Sequence, residues 1–375
     1  MDRKAWIVVV ACVAALGLWQ WAYVSYYAPT PEQLAEQRRA TEAAQAATTP
    51  TPVPGSGTTA TPPAPTPAPV TSPPAPVEGS VPREIRTITS GLAGFQFASN
   101  EAGIVSVELL DHLGENDANV ALNIPQALPI GSLAEEPGIA LGGFSPVPGG
   151  APNEAVFLRA LADGLEIRKT FTVSENDQDK GNYVVNLSLD FANPGTTPVQ
   201  RAGFYISTGG AAPVHSTDMT IYTGFDWYRD GKTTFTDVNW FNQSSIPLTG
   251  IELRPAQNVY EQKSDNISWA GTKNQYFANI VAVVSGDPGT AVWARRLDLF
   301  HGGDAEKKVY GIEGALGLPG FLLEPGQTKS WTFRIYTGPK DLGRLSRLGQ
   351  GEQEVMNFGI FKWVSEILLY SMNAL

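Results

Sequence analysis

The chain has one cysteine and three histidines among its 375 residues, and only 17% of its residues are charged. Cys12 lies inside an apolar run, which excludes a disulfide within the monomer and a zinc site built on cysteines. The histidines His112, His215 and His301 lie far apart without metal-binding spacing, so we predict no metal site and no cofactor. The net charge of -11 argues against a nucleic-acid partner, because phosphate binding needs a basic surface.

The sequence is instead rich in turn-forming residues, with 38 glycines and 29 prolines. This abundance, combined with few charges, is typical of a β-rich extracytoplasmic domain joined to a proline-rich tether.

Residues 5–24, AWIVVVACVAALGLWQWAYV, form one long apolar stretch. A helix of this length spans ~30 Å, the thickness of the hydrocarbon core of a membrane. Aromatic residues at both of its ends predict contact with the two membrane interfaces; they are Trp6, Trp19, Trp21 and Tyr23.

The charges around this stretch predict its orientation. Arg3 and Lys4 precede it, which places the N-terminus in the cytoplasm and the rest of the chain on the far side. The alternative is a cleaved signal peptide, but bulky aromatic residues stand where the small residues of a cleavage site would be. We therefore predict a cytoplasmic stub and transmembrane anchor over residues 1–27.

Residues 28–82 are dominated by proline, alanine and threonine and carry almost no large apolar side chains. Such a segment cannot bury enough surface to offset its ordering entropy, and its prolines favour an extended conformation. We predict a disordered tether here. A docking site for a domain that reads PxxP motifs is the alternative.

Residues 83–338 show short β-branched or alternating stretches separated by turn signals. The turns are marked by Asn193-Pro-Gly, Arg229-Asp-Gly, Gly286-Asp-Pro-Gly and Glu324-Pro-Gly. Many short strands at even spacing predict a mainly β domain, a large antiparallel two-sheet sandwich. Two smaller sandwiches are the alternative. The predicted strands cover residues 85–90, 94–98, 103–110, 165–173, 183–191, 203–207, 232–239, 279–284 and 330–337.

Residues 339–375 have a helical pattern. We predict a short helix over residues 339–348 and a longer one over 355–375. The longer one has a wide apolar face, a thin polar stripe and Trp363, which favours a helix lying in the membrane interface. A helix packed on the β domain is the alternative.

Three stretches resemble one family. Residues 265–278, DNISWAGTKNQYFA, resemble the W-x-G-x-K-x-x-Y/F-F signature of YidC-type membrane protein insertases. Residues 336–340, YTGPK, resemble the end of that family's periplasmic domain, and residues 355–369 resemble its interfacial helix. The signature residues are Trp269, Gly271, Lys273, Tyr276 and Phe277.

The resemblance implies a periplasmic β-supersandwich similar to galactose mutarotase, in a protein of the bacterial inner membrane. It implies as partners the lipid bilayer, nascent inner-membrane proteins, and the Sec translocon with its accessory subunits. In the family, insertion is carried out by five further membrane helices around a hydrophilic groove. We find no counterpart of that groove in these 375 residues, so the chain is expected to hold the scaffold and partner-binding part.

Two other functions are weighed against this one. The mutarotase-like fold suggests a sugar enzyme, with His215 and Asp218 or Glu313 and His301 as acid and base, but their spacing gives no support. We therefore predict no enzymatic activity.

The second is a free-standing, membrane-anchored binding module for glycans or peptides. Its candidate cleft residues are Trp227, Tyr228 and Trp240, from an aromatic cluster around the Arg229-Asp-Gly turn. The same cluster is also consistent with core positions of two strands, and this interpretation is favoured. The signature residues are likewise first interpreted as a packing motif, with the aliphatic carbons of Lys273 over an aromatic ring.

Overall fold

The computed structural model describes residues 83–114, 117–174, 183–245, 252–299 and 309–357. All of them belong to one compact unit, Pro76–Leu375. The predicted anchor, the tether and residues 358–375 lie outside the described residues. Within the described ranges, no helix has both the length and the apolar character needed to cross a membrane.

The described residues form 21 strands, and every strand pair is antiparallel. In chain order these are β1 (Ile85–Ser90), β2 (Ala93–Ala98), β3 (Gly103–Leu113), β4 (Asn119–Leu122), β5 (Leu133–Ala134), β6 (Ser145–Pro146), β7 (Glu154–Ala160), β8 (Glu166–Val173), β9 (Val184–Ala192), β10 (Val199–Arg201), β11 (Tyr205–Ala211), β12 (Gly224–Arg229), β13 (Lys232–Asp237), β14 (Ser244–Ser245), β15 (Glu252–Arg254), β16 (Val259–Lys273), β17 (Phe277–Ser285), β18 (Gly289–Leu299), β19 (Val309–Gly317), β20 (Phe321–Leu323) and β21 (Thr328–Pro339).

The largest sheet has 13 strands, in the order β5-β11-β19-β18-β16-β17-β21-β9-β8-β7-β6, with β12 on β16 and β13 on β12. The long strand β16 joins its two halves. The first half of β16 pairs with β18, and the second half pairs with β12 and β17. The register shifts between Lys263 and Ile267, where Asn266 has a φ of 61°. Such a bulge bends a strand and increases its twist, which lets one strand serve both halves.

The two halves face each other. Strand β11 packs against β16 and β17, and Asn279 Nδ2 donates to the Gly210 carbonyl at 3.0 Å. Strand β12 packs on β19, with the Phe225 ring so close to Gly314 that a Cβ atom there would clash with the ring. The large sheet therefore forms a β-sandwich, as the sequence predicted.

A four-stranded sheet, β1-β2-β3-β4, covers the far end of the large sheet. Phe97 on β2 lies 5.3 Å from Phe171 on β8, measured between ring centroids. Lys169, also on β8, is fully buried and donates to carbonyl oxygens of the loops at Ala102 and Gly131. Buried apolar residues of both sheets form one continuous core.

Helical structure is confined to short elements. Helix α1 (Leu342–Leu348) begins at Asp341, whose carboxylate accepts from the Arg344 N–H at 2.7 Å, and ends at Gly349 with a φ of 90°. This is the short helix predicted over residues 339–348. Three 3₁₀ helices cover Thr220–Tyr222, Val238–Phe241 and Glu352–Met356.

Candidate functional site

Strand β16 carries the signature residues Trp269, Gly271 and Lys273, and is here called the signature strand. One face of it contacts the C-terminal part of the chain. Trp269, Gly271 and Lys273 alternate along β16 and therefore share a face. On the neighbouring strand β12, Asp226 and Tyr228 lie opposite Gly271 and Trp269, on the same face. Residues 349–357, here called the C-terminal segment, lie across this face and contact it at several points.

A buried ion pair lies at the centre of these contacts. Lys273 Nζ is 2.8 Å from Asp226 Oδ2, and the two side chains are 3% and 0% exposed. The same amine donates to the Val355 carbonyl at 2.7 Å and lies 4.0 Å from the centre of the Phe235 ring. Asn357 Nδ2 donates to the other oxygen of Asp226 at 3.1 Å. Both charges of the ion pair are thus also bonded to the C-terminal segment.

Burial dominates the titration of both charged groups. It raises the pKa of Asp226, while Lys273 lowers it. It lowers the pKa of Lys273, while Asp226 raises it. Since the desolvation of each group outweighs the attraction of its partner, the pair adds little stability compared with apolar residues. Both charges depend on each other and on the C-terminal segment to compensate for their burial.

Two aromatic residues on this face, Trp269 and Tyr228, contact the first residues of the C-terminal segment. Trp269 Nε1 donates to the Gln350 carbonyl at 3.2 Å, and the Trp269 ring stacks on Tyr228 at 5.5 Å with an interplanar angle of 4°. Gly351 has a φ of 80°, and a Cβ atom there would lie 2.6 Å from the Tyr228 ring. Glycine at this position therefore permits both the left-handed backbone and the close approach to the ring.

A second ion pair fixes the middle of the segment. Arg334 on β21 pairs with Glu352, whose side chain is 1% exposed. The other oxygen of Glu352 accepts from the Gln350 N–H at 2.7 Å, and Gln350 Nε2 donates to the Val283 carbonyl at 2.8 Å. The segment is thus bonded to β12, β16, β17 and β21 together.

Beside the end of the segment lies a cleft of about 860 Å³, here called the C-terminal cleft. Its lining includes Leu113, Tyr222, Tyr276, Lys340 and Met356. Burial lowers the pKa of Lys340 to about 8, an effect increased by the nearby Lys273 and opposed by Asp226.

The signature residues are thus brought together, with different exposure. Trp269, Lys273 and Phe277 are buried, while Tyr276 is exposed at the cleft. Gly271 allows close strand pairing, because a Cβ atom there would lie 2.5 Å from the Asn279 carbonyl oxygen.

The aromatic residues predicted to line a cleft lie around the β12–β13 hairpin. Trp227 is 7% exposed and donates through Nε1 to the Tyr260 hydroxyl at 3.1 Å. Tyr228 stacks on Trp269, and Trp240 contacts the Tyr260 ring edge-on at 5.2 Å. Each is engaged by a neighbouring aromatic ring. Their role in ligand binding stays a prediction.

Three of the four candidate acid–base residues, Glu313, His215 and Asp218, lie within the described residues. Glu313 is 1% exposed and accepts from Arg295 Nε at 2.7 Å. His215 Nδ1 is 3.6 Å from Asp218, which also accepts from two backbone N–H groups. His301 lies outside the described residues, as do the predicted membrane-contact residues Trp6, Trp19, Trp21, Tyr23 and Trp363. Over the described ranges, no cluster of histidine, cysteine and acidic side chains is suited to hold a metal ion.

Sequence reasoning missed the polar residues that join the C-terminal segment to the sheet: Asp226, which pairs with Lys273, Asn357, which bonds to Asp226, and Glu352, which pairs with Arg334. Asp226, Glu352 and Asn357 carry no motif of their own. The one signal for Asp226 is an acidic residue between two aromatic residues, Phe225 and Trp227, in strand β12.

The family model for the YidC periplasmic domain matches residues 87–371 of the chain. The chain belongs to this family. Its signature strand and the C-terminal segment that it binds both lie inside the matched range.

Curated relatives agree. The chain is similar to the membrane protein insertase YidC of Geobacter metallireducens, with 25% identity over 59% of this chain and 35% of that protein. The same-named protein of Pelobacter propionicus is 21% identical over 76% of this chain and 49% of that protein. That of Syntrophus aciditrophicus is 22% identical over 100% of this chain and 66% of that protein. The chain thus spans about a third to a half of the length of the first two.

Solved structures with a similar fold include the periplasmic domain of Thermotoga maritima YidC, with 11% identity and a TM-score of 0.35 over 73% of this chain and 92% of that chain. A galactose mutarotase related enzyme from Lactobacillus acidophilus has 12% identity and a TM-score of 0.40 over 68% of this chain and 97% of that chain. At such scores these likenesses carry no functional argument, and the assignment to the YidC family comes from the sequence match.

Proposed function

We propose that the chain is the anchored periplasmic part of a YidC/Oxa-type insertase and assists the insertion, folding and assembly of inner-membrane proteins. One observation carries the proposal: the residues of the family signature bind the C-terminal segment, through which the chain leaves the β domain. The signature thus fixes the position at which the β domain is joined to residues 358–375.

The proposed role is that of a scaffold and partner-binding surface without enzymatic activity. Glu313 supports this, because Arg295 Nε and the Leu128 N–H engage its two carboxylate oxygens. A general base needs a free oxygen or nitrogen aimed at the proton it removes. We further propose that the N-terminus lies in the cytoplasm and the β domain in the periplasm. The proposed partners are the bilayer, nascent inner-membrane proteins and the Sec translocon.

The two ends of the β domain differ in the freedom they allow. The predicted proline-rich tether gives slack at the N-terminal end. The C-terminal segment is bonded to four strands and allows none. In the proposed function, the orientation of the domain above the membrane is therefore set from its C-terminal end.

The test uses the native-length protein in cells whose own copy can be depleted. The change is Lys273→Met, which leaves Asp226 buried and unpaired. We expect slower insertion of a single-span reporter protein, measured by protease protection. The control is Lys329→Met, which removes an ion pair with Asp287 whose two side chains are 33% and 53% exposed. Normal insertion by a variant that lacks residues 83–357 altogether would overturn the proposal.

Binding of glycans or peptides is the second candidate, favoured by a pocket of about 290 Å³ between β4, β11 and β17. Asn119, Asn123, Asn274 and Asn279 line it together with Phe277. Amide groups beside an aromatic ring suit a neutral polar ligand. A glycan array and a peptide panel probed with the whole protein test this candidate, and no binding on either would exclude it.

A further inference from the structure

Several of the exposed large hydrophobic side chains lie around the C-terminal cleft. Leu113 is 61% exposed, and Tyr222 and Tyr276 are each 43% exposed, although all three line the cleft. Met219 and Ile221 are 48% and 47% exposed and adjoin Tyr222 in the chain. The Met219 N–H donates to the side chain of Gln275, another lining residue, at 3.2 Å. These five hydrophobic residues, here called the apolar rim, form a patch of the kind that marks an interaction surface.

The course of the chain indicates what covers this rim. Met356 lines the cleft, and Asn357 is bonded to Asp226, so the chain leaves the domain at the cleft itself. Residues 358–375 come immediately after and carry the amphipathic pattern of a membrane-interface helix. The first three residues after Asn357, even if fully extended, can span only about 10 Å between the β domain and such a helix. If residues 358–375 lie in the interface, the apolar rim must lie at or close to the same lipid surface.

We propose that the apolar rim docks on the phospholipid membrane interface and holds this face of the β domain against the bilayer. The inference rests on the proposed function, because it takes residues 358–375 as an interfacial helix. The chemistry of the rim fits a lipid interface: tyrosine places a ring among acyl chains and a hydroxyl among headgroups, and isoleucine, leucine and methionine add apolar area.

The charged groups near the rim carry both signs, so attraction to anionic lipids is not what would hold the rim at the membrane. The Asp111 carboxylate accepts from the Tyr183 hydroxyl at 2.8 Å, and Asp341 caps helix α1. These acids offset the positive charge of Lys340 beside them in the cleft. Docking should therefore persist on zwitterionic phosphatidylcholine and at high salt, where attraction to anionic lipids is screened.

The experiment uses the full chain reconstituted in phosphatidylcholine vesicles. A Cys12→Ser background receives one cysteine at a time, which is labelled with an environment-sensitive fluorophore and exposed to lipids that carry a quencher near the headgroup. The test position is Ile221→Cys. The matched control is Leu322→Cys, which is 55% exposed on β20. The residue before it, Phe321, contacts Trp331 near the start of β21, and the cleft residue Pro339 ends that strand. The control label and the cleft therefore lie near opposite ends of β21, roughly 30 Å apart.

We expect quenching at Ile221→Cys to be about twofold greater than at Leu322→Cys, because interfacial side chains lie some 5–10 Å inside the headgroup boundary. A third label at Trp363→Cys reports on the proposed function separately. Quenching at Trp363 but not at Ile221 overturns the docking of the rim and leaves the interfacial segment intact. No quenching at either position overturns both.

A label at Ile221 that is shielded from water but not quenched means that residues 358–375 or another protein covers the rim, which also overturns the inference. Replacement of Ile221 and Tyr222 by serine keeps the described core unchanged, since both side chains are exposed. It should lower the quenching of a label at Leu113→Cys while leaving the unfolding transition in place.

Discussion

The buried ion pair between Lys273 and Asp226 gives a quantitative test of how the C-terminal segment is held. Lys273→Met removes the charge and leaves an unbranched side chain that is one atom shorter. The Asp226 carboxylate is 0% exposed and would keep only the Asn357 amide as a donor. Loss of one partner of a buried pair costs about 3–5 kcal/mol, because the other charge stays buried without compensation. We expect the free energy of unfolding to fall by this amount.

The double variant separates attraction from desolvation. Asp226→Asn alone leaves the Lys273 amine with the Val355 carbonyl and the Phe235 ring. Lys273→Met combined with Asp226→Asn removes both charges and keeps an acceptor for Asn357. Because burial dominates the pKa of both groups, the double variant should be more stable than either single variant.

The measurement is urea unfolding of the full chain in detergent, followed by tryptophan fluorescence. Trypsin cleavage after Arg347, at the end of helix α1, reports local release of the segment. Lys329→Met is the control, because its exposed ion pair contributes at most about 1 kcal/mol. Losses that simply add in the double variant, or a Lys273→Met loss no larger than that of Lys329→Met, would refute the reasoning.

Three further predictions concern other parts of the domain. Burial lowers the pKa of Lys169 well below 10.5, so the unfolded state binds the proton more tightly than the folded state does. The free energy of unfolding should therefore rise as the pH increases toward 10.5. Urea unfolding of Lys169→Met should lack this rise. The Lys340 amine should titrate with a midpoint of about 8 in an NMR titration of the methylated protein, and a midpoint above 10 would contradict the burial of this group. Gly351→Ala should cost about 2–3 kcal/mol, because it adds a clash with Tyr228 to the backbone strain. Gly349→Ala, with a similar φ and open space, should cost only about 1 kcal/mol, and equal losses in thermal unfolding would exclude the clash.

The fold was predictable where the turn chemistry was local. The Arg229-Asp230-Gly231 signal predicted a hairpin, and β12 and β13 meet there with positive φ at Asp230 and Gly231. Residues 85–90 were predicted as a strand and form β1 with the same bounds. The predicted strand over residues 232–239 ends earlier, at Asp237, because this side chain caps the adjoining 3₁₀ helix.

Strand β16 shows why other strands were missed. Its first half reads VYEQKSDN and is largely exposed, so it lacks the alternation of a half-buried strand. Its second half lies between β12 and β17 and is almost entirely buried. The environment changes at the bulge near Asn266, where the strand passes from one half of the sandwich to the other. No single period describes such a strand.

The candidate site was only half predictable for a related reason. Trp269 and Lys273 were identified because the family signature places them at a fixed spacing. Their partners, the Gln350 carbonyl and the Asp226 carboxylate, lie on other elements, and the contacts exist only once the sandwich has brought β12, β16 and the C-terminal segment together. A sequence can show that a lysine follows a tryptophan. It cannot show which distant carboxylate the fold will bury beside it.

The buried ion pair carries a large desolvation penalty, which only the correct placement of the C-terminal segment compensates. An apolar contact would let the C-terminal segment slide, because neighbouring registers would bury similar areas. Val355 lies in the 3₁₀ helix Glu352–Met356, so a slip of one residue moves its carbonyl about 2 Å along the helix axis and turns it by about 120°. This leaves the Lys273 amine without its acceptor. The same slip separates Asn357 from Asp226 and Gly351 from the Tyr228 ring. Each wrong register therefore leaves buried polar groups unpaired, at a cost of about 1–3 kcal/mol for each group. The pair adds little to the stability of the domain, but it allows the chain to leave the β domain at one position only.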